Sequence, residues 1–156
     1  MTKYERICAT IEDTEKLAQE FVSKVRENGC FVTLYGEIGA GKTAFVKCCA
    51  NALGVREKVT SPSFVILNEY HSADIPVYHF DLYRLENEGV KTIIDELREY
   101  SEGHQITFVE WAEFSQDQIP FNHIKINVTY EDDDTRKYVF EGVGSDCNKI
   151  VEGLGK

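Results

Sequence analysis

An α/β fold with a mostly parallel central sheet is predicted by three features of the chain. The apolar run Cys30-Phe31-Val32-Thr33-Leu34-Tyr35 passes directly into a glycine-rich loop and then into the helix-prone Ala44-Phe45-Val46-Lys47. Two more short apolar runs, 76–84 and 105–111, carry an acid towards their ends, Asp81 and Glu110. Residues 123–130 and 135–140 alternate apolar and polar side chains around the acidic turn 131–134, which predicts an antiparallel hairpin at the sheet edge. With 156 residues, 42 % of them hydrophobic, the chain is long enough for one domain, 1–156, with a real core.

The loop is Gly36-Glu37-Ile38-Gly39-Ala40-Gly41-Lys42-Thr43. Two glycines five apart, followed by lysine and a hydroxyl residue between a strand and a helix, form a phosphate-binding pattern. Random placement of the same composition gives it in roughly 0.6 % of such chains, so a solvated glycine turn explains it poorly. The glycines let the backbone approach an anion, the N–H groups of the loop and helix N-terminus point at it, and Lys42 adds a positive charge. Thr43 is then the hydroxyl for Mg²⁺. The implied architecture is a P-loop NTPase-like three-layer fold.

Taken in order, residues 5–9 read as an opening strand, and Thr14 as the N-cap of a helix with Leu17, Ala18, Phe21, Val22 and Val25 on its apolar stripe. Asn28-Gly29 stops it. After strand 30–35 and the loop, a helix runs from Lys42 to about Leu53 and closes at Gly54. Thr60-Ser61-Pro62-Ser63-Phe64 leads into a strand at 64–70 and is either a phosphate-sensing switch or an ordinary strand entry. The strand from Pro76 ends near Asp81, a place for a metal-linked or water-positioning carboxylate; for Asp81 and Arg84 alike, a buried salt bridge is the alternative. His79 reads as a plain strand histidine. An amphipathic helix is expected over 87–100 from Val90, Ile93, Ile94 and Leu97. Glu110 closes the next strand where an aspartate is more usual; being longer, it is expected to reach Mg²⁺ through water rather than directly. Trp111 is either core or a wall of the nucleotide pocket. The tail from Ser145 forms a short helix.

Net charge is −10, from 27 acidic and 17 basic residues, and there is no basic stripe, so direct nucleic-acid binding is not expected. Neither a membrane span nor a signal peptide is visible, so a cytoplasmic protein is expected. Five cysteines without metal spacing read as reduced, mostly buried thiols.

Gly36–Thr43, Thr60–Phe64, His79-Phe80-Asp81-Leu82-Tyr83-Arg84-Leu85 and Val109-Glu110-Trp111, in this order and in so short a chain, resemble the TsaE (YjeE) family. The resemblance spans most of 5–140. It implies an ATPase needed for threonylcarbamoyladenosine at position 37 of tRNA, whose ATP hydrolysis resets the TsaB–TsaD complex. Carried over, Ile38–Thr43 hold the phosphates, Thr43 and Glu110 ligate Mg²⁺, Asp81 supports hydrolysis, and Trp111 lies near the nucleotide. Glu12 and Arg136 stand in about the places of two further nucleotide-proximal residues of the family.

Three rivals are weighed against this. A small-molecule kinase needs an arginine-bearing lid, but the six arginines are unclustered. A GTPase would carry Asn-Lys-x-Asp, whereas Asn148-Lys149 is followed by Ile150-Val151. A nucleotide-gated docking module would tolerate loss of Asp81 and Glu110.

Overall fold

The computed structural model describes residues 2–37, 41–57, 59, 67–81, 103–110, 119–131 and 134–155. Among the described residues seven strands form one sheet: β1 (Lys3–Cys8), β2 (Cys30–Tyr35), β3 (Leu67–Tyr70), β4 (Val77–Asp81), β5 (Ile106–Glu110), β6 (His123–Tyr130) and β7 (Arg136–Val143). Their order is β1-β7-β6-β2-β5-β4-β3. The centre, β6-β2-β5-β4, is parallel throughout. Antiparallel strands flank it, β7 and β1 on one side and β3 on the other. The hairpin β6–β7 therefore does not end the sheet: β1 pairs outside it as the edge strand, Lys3 opposite Glu141 through Cys8 opposite Arg136.

Helix α1 (Ile11–Val25) is capped by Thr10, not Thr14. Thr10 Oγ1 accepts from the Asp13 amide at 3.2 Å, and the Asp13 carboxylate accepts from the Ala9 amide at 3.1 Å. That reciprocal pair satisfies one open donor of the first turn, the Asp13 amide, and the Ala9 amide just before the helix, and it frees Thr14 to be buried. The stripe 17, 18, 21, 22 and 25 packs on α2 (Lys42–Leu53), whose end is closed by Gly54 at φ 87°. The shared core is aromatic: Phe21 lies 5.4 Å from Phe140, and Phe45 5.2 Å from Tyr138 and 6.0 Å from Phe140, centroid to centroid. Helix α3 (Ser145–Gly153) docks on β7 and β1 and buries Cys147, Val151 and Leu154. Here Gly142 is required, since a Cβ would come within 2.6 Å of the Cys147 carbonyl oxygen.

Strands β2 and β5 are buried on both faces. Val32, Leu34 and Phe108 join the core under the helices, while the alternate residues Phe31, Thr33, Thr107 and Val109 are buried as well. Such strands form the middle of a layered α/β domain, which is why they read as continuous apolar runs.

All five cysteines are free; four are buried and Cys30 is half-buried. Burial pushes the Cys49 thiol well up, so it is an inert packing group. Among the described residues no helix is long and apolar enough to cross a membrane. Residues 60–64, Arg84 and the expected helix 87–100 lie outside the described residues.

Candidate functional site

Parallel order puts the carboxyl ends of β2, β4, β5 and β6 at one end of the sheet. Gly36 and Glu37 follow β2 there, Asp81 ends β4, Glu110 ends β5 and Tyr130 ends β6, while Arg136 opens β7. This is where ligands bind in open α/β sheets.

Register brings the acids together. Asp81 pairs with Glu110, and Glu110 with Leu34 of β2, so the two carboxylates stand on adjacent strands facing the same side. Thr43, second residue of α2, reaches across to Glu110: its hydroxyl donates to Oε2 at 3.0 Å and lies 3.3 Å from Oε1. Glu110 is 3 % exposed. Its Oε2 also meets Nε2 of His79, which is fully buried on β4.

Lys42, itself buried, turns its ammonium onto the Gly36 carbonyl oxygen at 2.5 Å and so spans the loop it follows. Gly41 caps α2 at φ 109°, a conformation in which an L side chain is strained. A Cβ there would also fall 2.6 Å from Arg136 Nε, which shows how closely that side chain lies on the loop. Arg136 is held by Tyr130, whose hydroxyl accepts from Nη2 at 3.1 Å and whose ring lies 4.8 Å below the guanidinium. Beside them is a 330 Å³ pocket lined by Gly36, Glu37, Val128, Thr129 and Tyr130.

The structure thus gathers Gly36, Glu37, Gly41, Lys42, Thr43, Asp81, Glu110 and Arg136 at one end. Glu12 is exposed in the first turn of α1, at the same end, where Cys8 pairs with Arg136. Ile38, Gly39, Ala40 and Trp111 lie outside the described residues. Two contributors escaped the sequence reading. Tyr130 gave no signal beyond its place at a strand end. His79 did give one: it precedes Asp81 by two residues on a strand, and so shares its face.

The donor set suits a hard divalent cation. Thr43 keeps hydroxyl lone pairs while donating its proton, and Glu110 is a buried carboxylate whose charge calls for a positive partner. Among the described residues no group of three or more His, Cys, Asp or Glu could hold a metal by itself. A hydroxyl and one carboxylate are donors of the kind magnesium uses, since it binds through one or two carboxylates plus substrate phosphates and water.

The sequence model of the family described as threonylcarbamoyl adenosine biosynthesis protein TsaE matches residues 8–138. The chain belongs to the TsaE family. It is 35 % identical over 145 residues to the tRNA threonylcarbamoyladenosine biosynthesis protein TsaE of Bacillus subtilis, covering 93 % of this chain and 89 % of that one. The TsaE of Nostoc is 37 % identical over 113 residues, covering 70 % and 68 %. The crystal structure of YdiB from Bacillus subtilis superposes with a TM-score of 0.82 at 30 % identity, over 98 % of this chain and 94 % of that one. This TsaE-family chain thus has the mixed α/β fold with a central, mostly parallel sheet and helices around it. Its family is one of tRNA threonylcarbamoyladenosine biosynthesis.

Proposed function

We propose that this chain is a Mg²⁺-dependent ATPase of the cytoplasm that serves threonylcarbamoyladenosine formation on tRNA by acting on the TsaB–TsaD complex. The observation that carries the ATPase reading is the hydrogen bond from Thr43, at the start of the helix after the phosphate loop, to the buried Glu110 at the end of β5. The tRNA pathway rests on family membership, and the partners follow the family resemblance of the sequence motifs.

In this reading the backbone amides of 36–43 and the N-terminus of α2 receive the phosphates. Lys42 exchanges the Gly36 carbonyl for phosphate oxygens, and Arg136 stands over the loop as a second positive charge. Thr43 and Glu110 hold Mg²⁺, which when bound neutralises charge on the β- and γ-phosphates. Asp81, on the neighbouring strand, orients the attacking water. Turnover of the isolated chain is slow, and docking on TsaB and TsaD completes or closes the site; a charge supplied in trans is commonly worth a thousandfold or more. Adenine as the base, and Trp111 beside it, follow the family resemblance. Net charge of −10 fits a protein that meets tRNA only through its partners.

Complementation tests this. In cells depleted of the native protein, the native chain restores modified adenosine measured in hydrolysed tRNA, and Lys42→Ala does not. Full restoration by Lys42→Ala would refute the proposal.

A further inference from the structure

His79 sits fully buried on β4, between Asn68 of β3 and Phe108 of β5 in register. Its Nε2 meets Glu110 Oε2, and its Nδ1 has no hydrogen-bond partner among the described residues. Burying an imidazole with one nitrogen unpaired is costly, and Val77, two residues before it on the same face of β4, is buried and apolar. The one hydrogen bond is therefore what histidine brings to this position.

That bond lands on the atom that needs it. Oε2 takes both the His79 contact and the shorter Thr43 contact, 3.0 Å against 3.3 Å for Oε1. Glutamate has one more rotatable bond than the aspartate usual at such strand ends, so it has more freedom to be removed. An ionised carboxylate only accepts, so the nitrogen facing it carries the proton.

We propose that His79 is a positioning residue for the cation site: through Nε2–H it fixes Oε2 of Glu110 and leaves Oε1, the more weakly held oxygen, to a divalent cation brought by nucleotide phosphates. The inference rests on the reading of Glu110 as a Mg²⁺ ligand. Partners of this kind orient metal ligands, and their loss costs about 10–100-fold in metal affinity.

The test compares two polar replacements that differ in reach. Glutamine places an amide N–H near the position of Nε2; asparagine stops short. ATP affinity is measured in Mg²⁺ and in EDTA for the native chain, His79→Gln and His79→Asn. The expected result is that His79→Gln keeps the Mg²⁺ enhancement within about threefold of native, while His79→Asn loses about tenfold or more of it, with EDTA affinities unchanged. Equal enhancement in His79→Asn and the native chain overturns the inference and leaves the Glu110 reading standing. No Mg²⁺ enhancement in the native chain removes that reading, and this inference with it. A measurement on the native chain needs no variant: ¹⁵N-edited imidazole spectra are expected to show His79 as the Nε2–H tautomer, and the Nδ1–H tautomer overturns the proposal.

Discussion

Replacing Glu110 by glutamine keeps the shape of the side chain and removes its charge. The carboxylate accepts from Thr43 at 3.0 Å and from His79, and hydrogen bonds to an ionised group are worth about 1.5–3 kcal/mol each. Against them stands the cost of holding a carboxylate at 3 % exposure, several kcal/mol after relaxation. The two are of similar size, so the ligand-free melting temperature is expected to stay within about 4 °C of native, the equivalent of roughly 1 kcal/mol. The difference emerges with ligand. Nucleotide at a hundred times its Kd stabilises by about 2.7 kcal/mol, or about 5–11 °C for a chain of this size. If Mg²⁺ supplies a tenfold share of that affinity, about 1.4 kcal/mol, then EDTA removes about 3–6 °C of the native shift. Thermal melts with ATP in Mg²⁺ and in EDTA read this directly. For Glu110→Gln the two melts should coincide, and a Mg²⁺ increment as large as native would refute Glu110 as the cation's carboxylate.

Other substitutions probe the remaining parts. Asp81→Asn is expected to bind Mg·ATP within about threefold of native but to lose about 10²-fold or more in turnover, with tRNA left unmodified; normal modification would refute a role in hydrolysis. Gly41→Ala forces a side chain to φ 109° and into Arg136, so it should cost about 1–2 kcal/mol in urea unfolding and weaken ATP binding; native behaviour in both would contradict the loop geometry. Burial pushes the Tyr138 phenol up to about 12, so the folded state disfavours its ionisation. Its contribution is complete below pH 10 and is lost as pH rises towards 12, by up to about 2–3 kcal/mol. Tyr138→Phe should lose less stability than the native chain between pH 10 and 12, and parallel curves would contradict this.

Local pattern carried much of the fold. The boundaries of β2 and α2 followed from an apolar run set against a glycine loop and from Gly54 at the helix end; β6 followed from strict alternation. What the chain did not reveal locally was set by distant partners. Thr10 rather than Thr14 caps α1 because Thr14 is claimed by the core beside Cys8 and Tyr138. Strand β7 runs past Phe140 because it is paired on both sides there, by β1 from the far end of the chain up to Glu141 and by β6 up to Val143, opposite His123. The pairing with β1 moves the hairpin inward from the edge.

At the site, the loop motif was legible because its residue types have few other uses. The Asp81–Glu110 pairing depended on strand register, and the place of His79 on the length of Glu110; neither can be read from one segment alone. Arg136 followed from no motif in the chain, and its place over Gly41 comes from the pairing of β7 with β1 and β6.

The central claim is a Mg²⁺-dependent ATPase completed by its partners, and the most direct measurement is ATP turnover by the purified chain in Mg²⁺, alone and with saturating TsaB and TsaD. The expected result is slow turnover alone that rises when both partners are added and vanishes in EDTA. Turnover indifferent to the partners, or tight Mg·ATP binding with no hydrolysis in either condition, would contradict it.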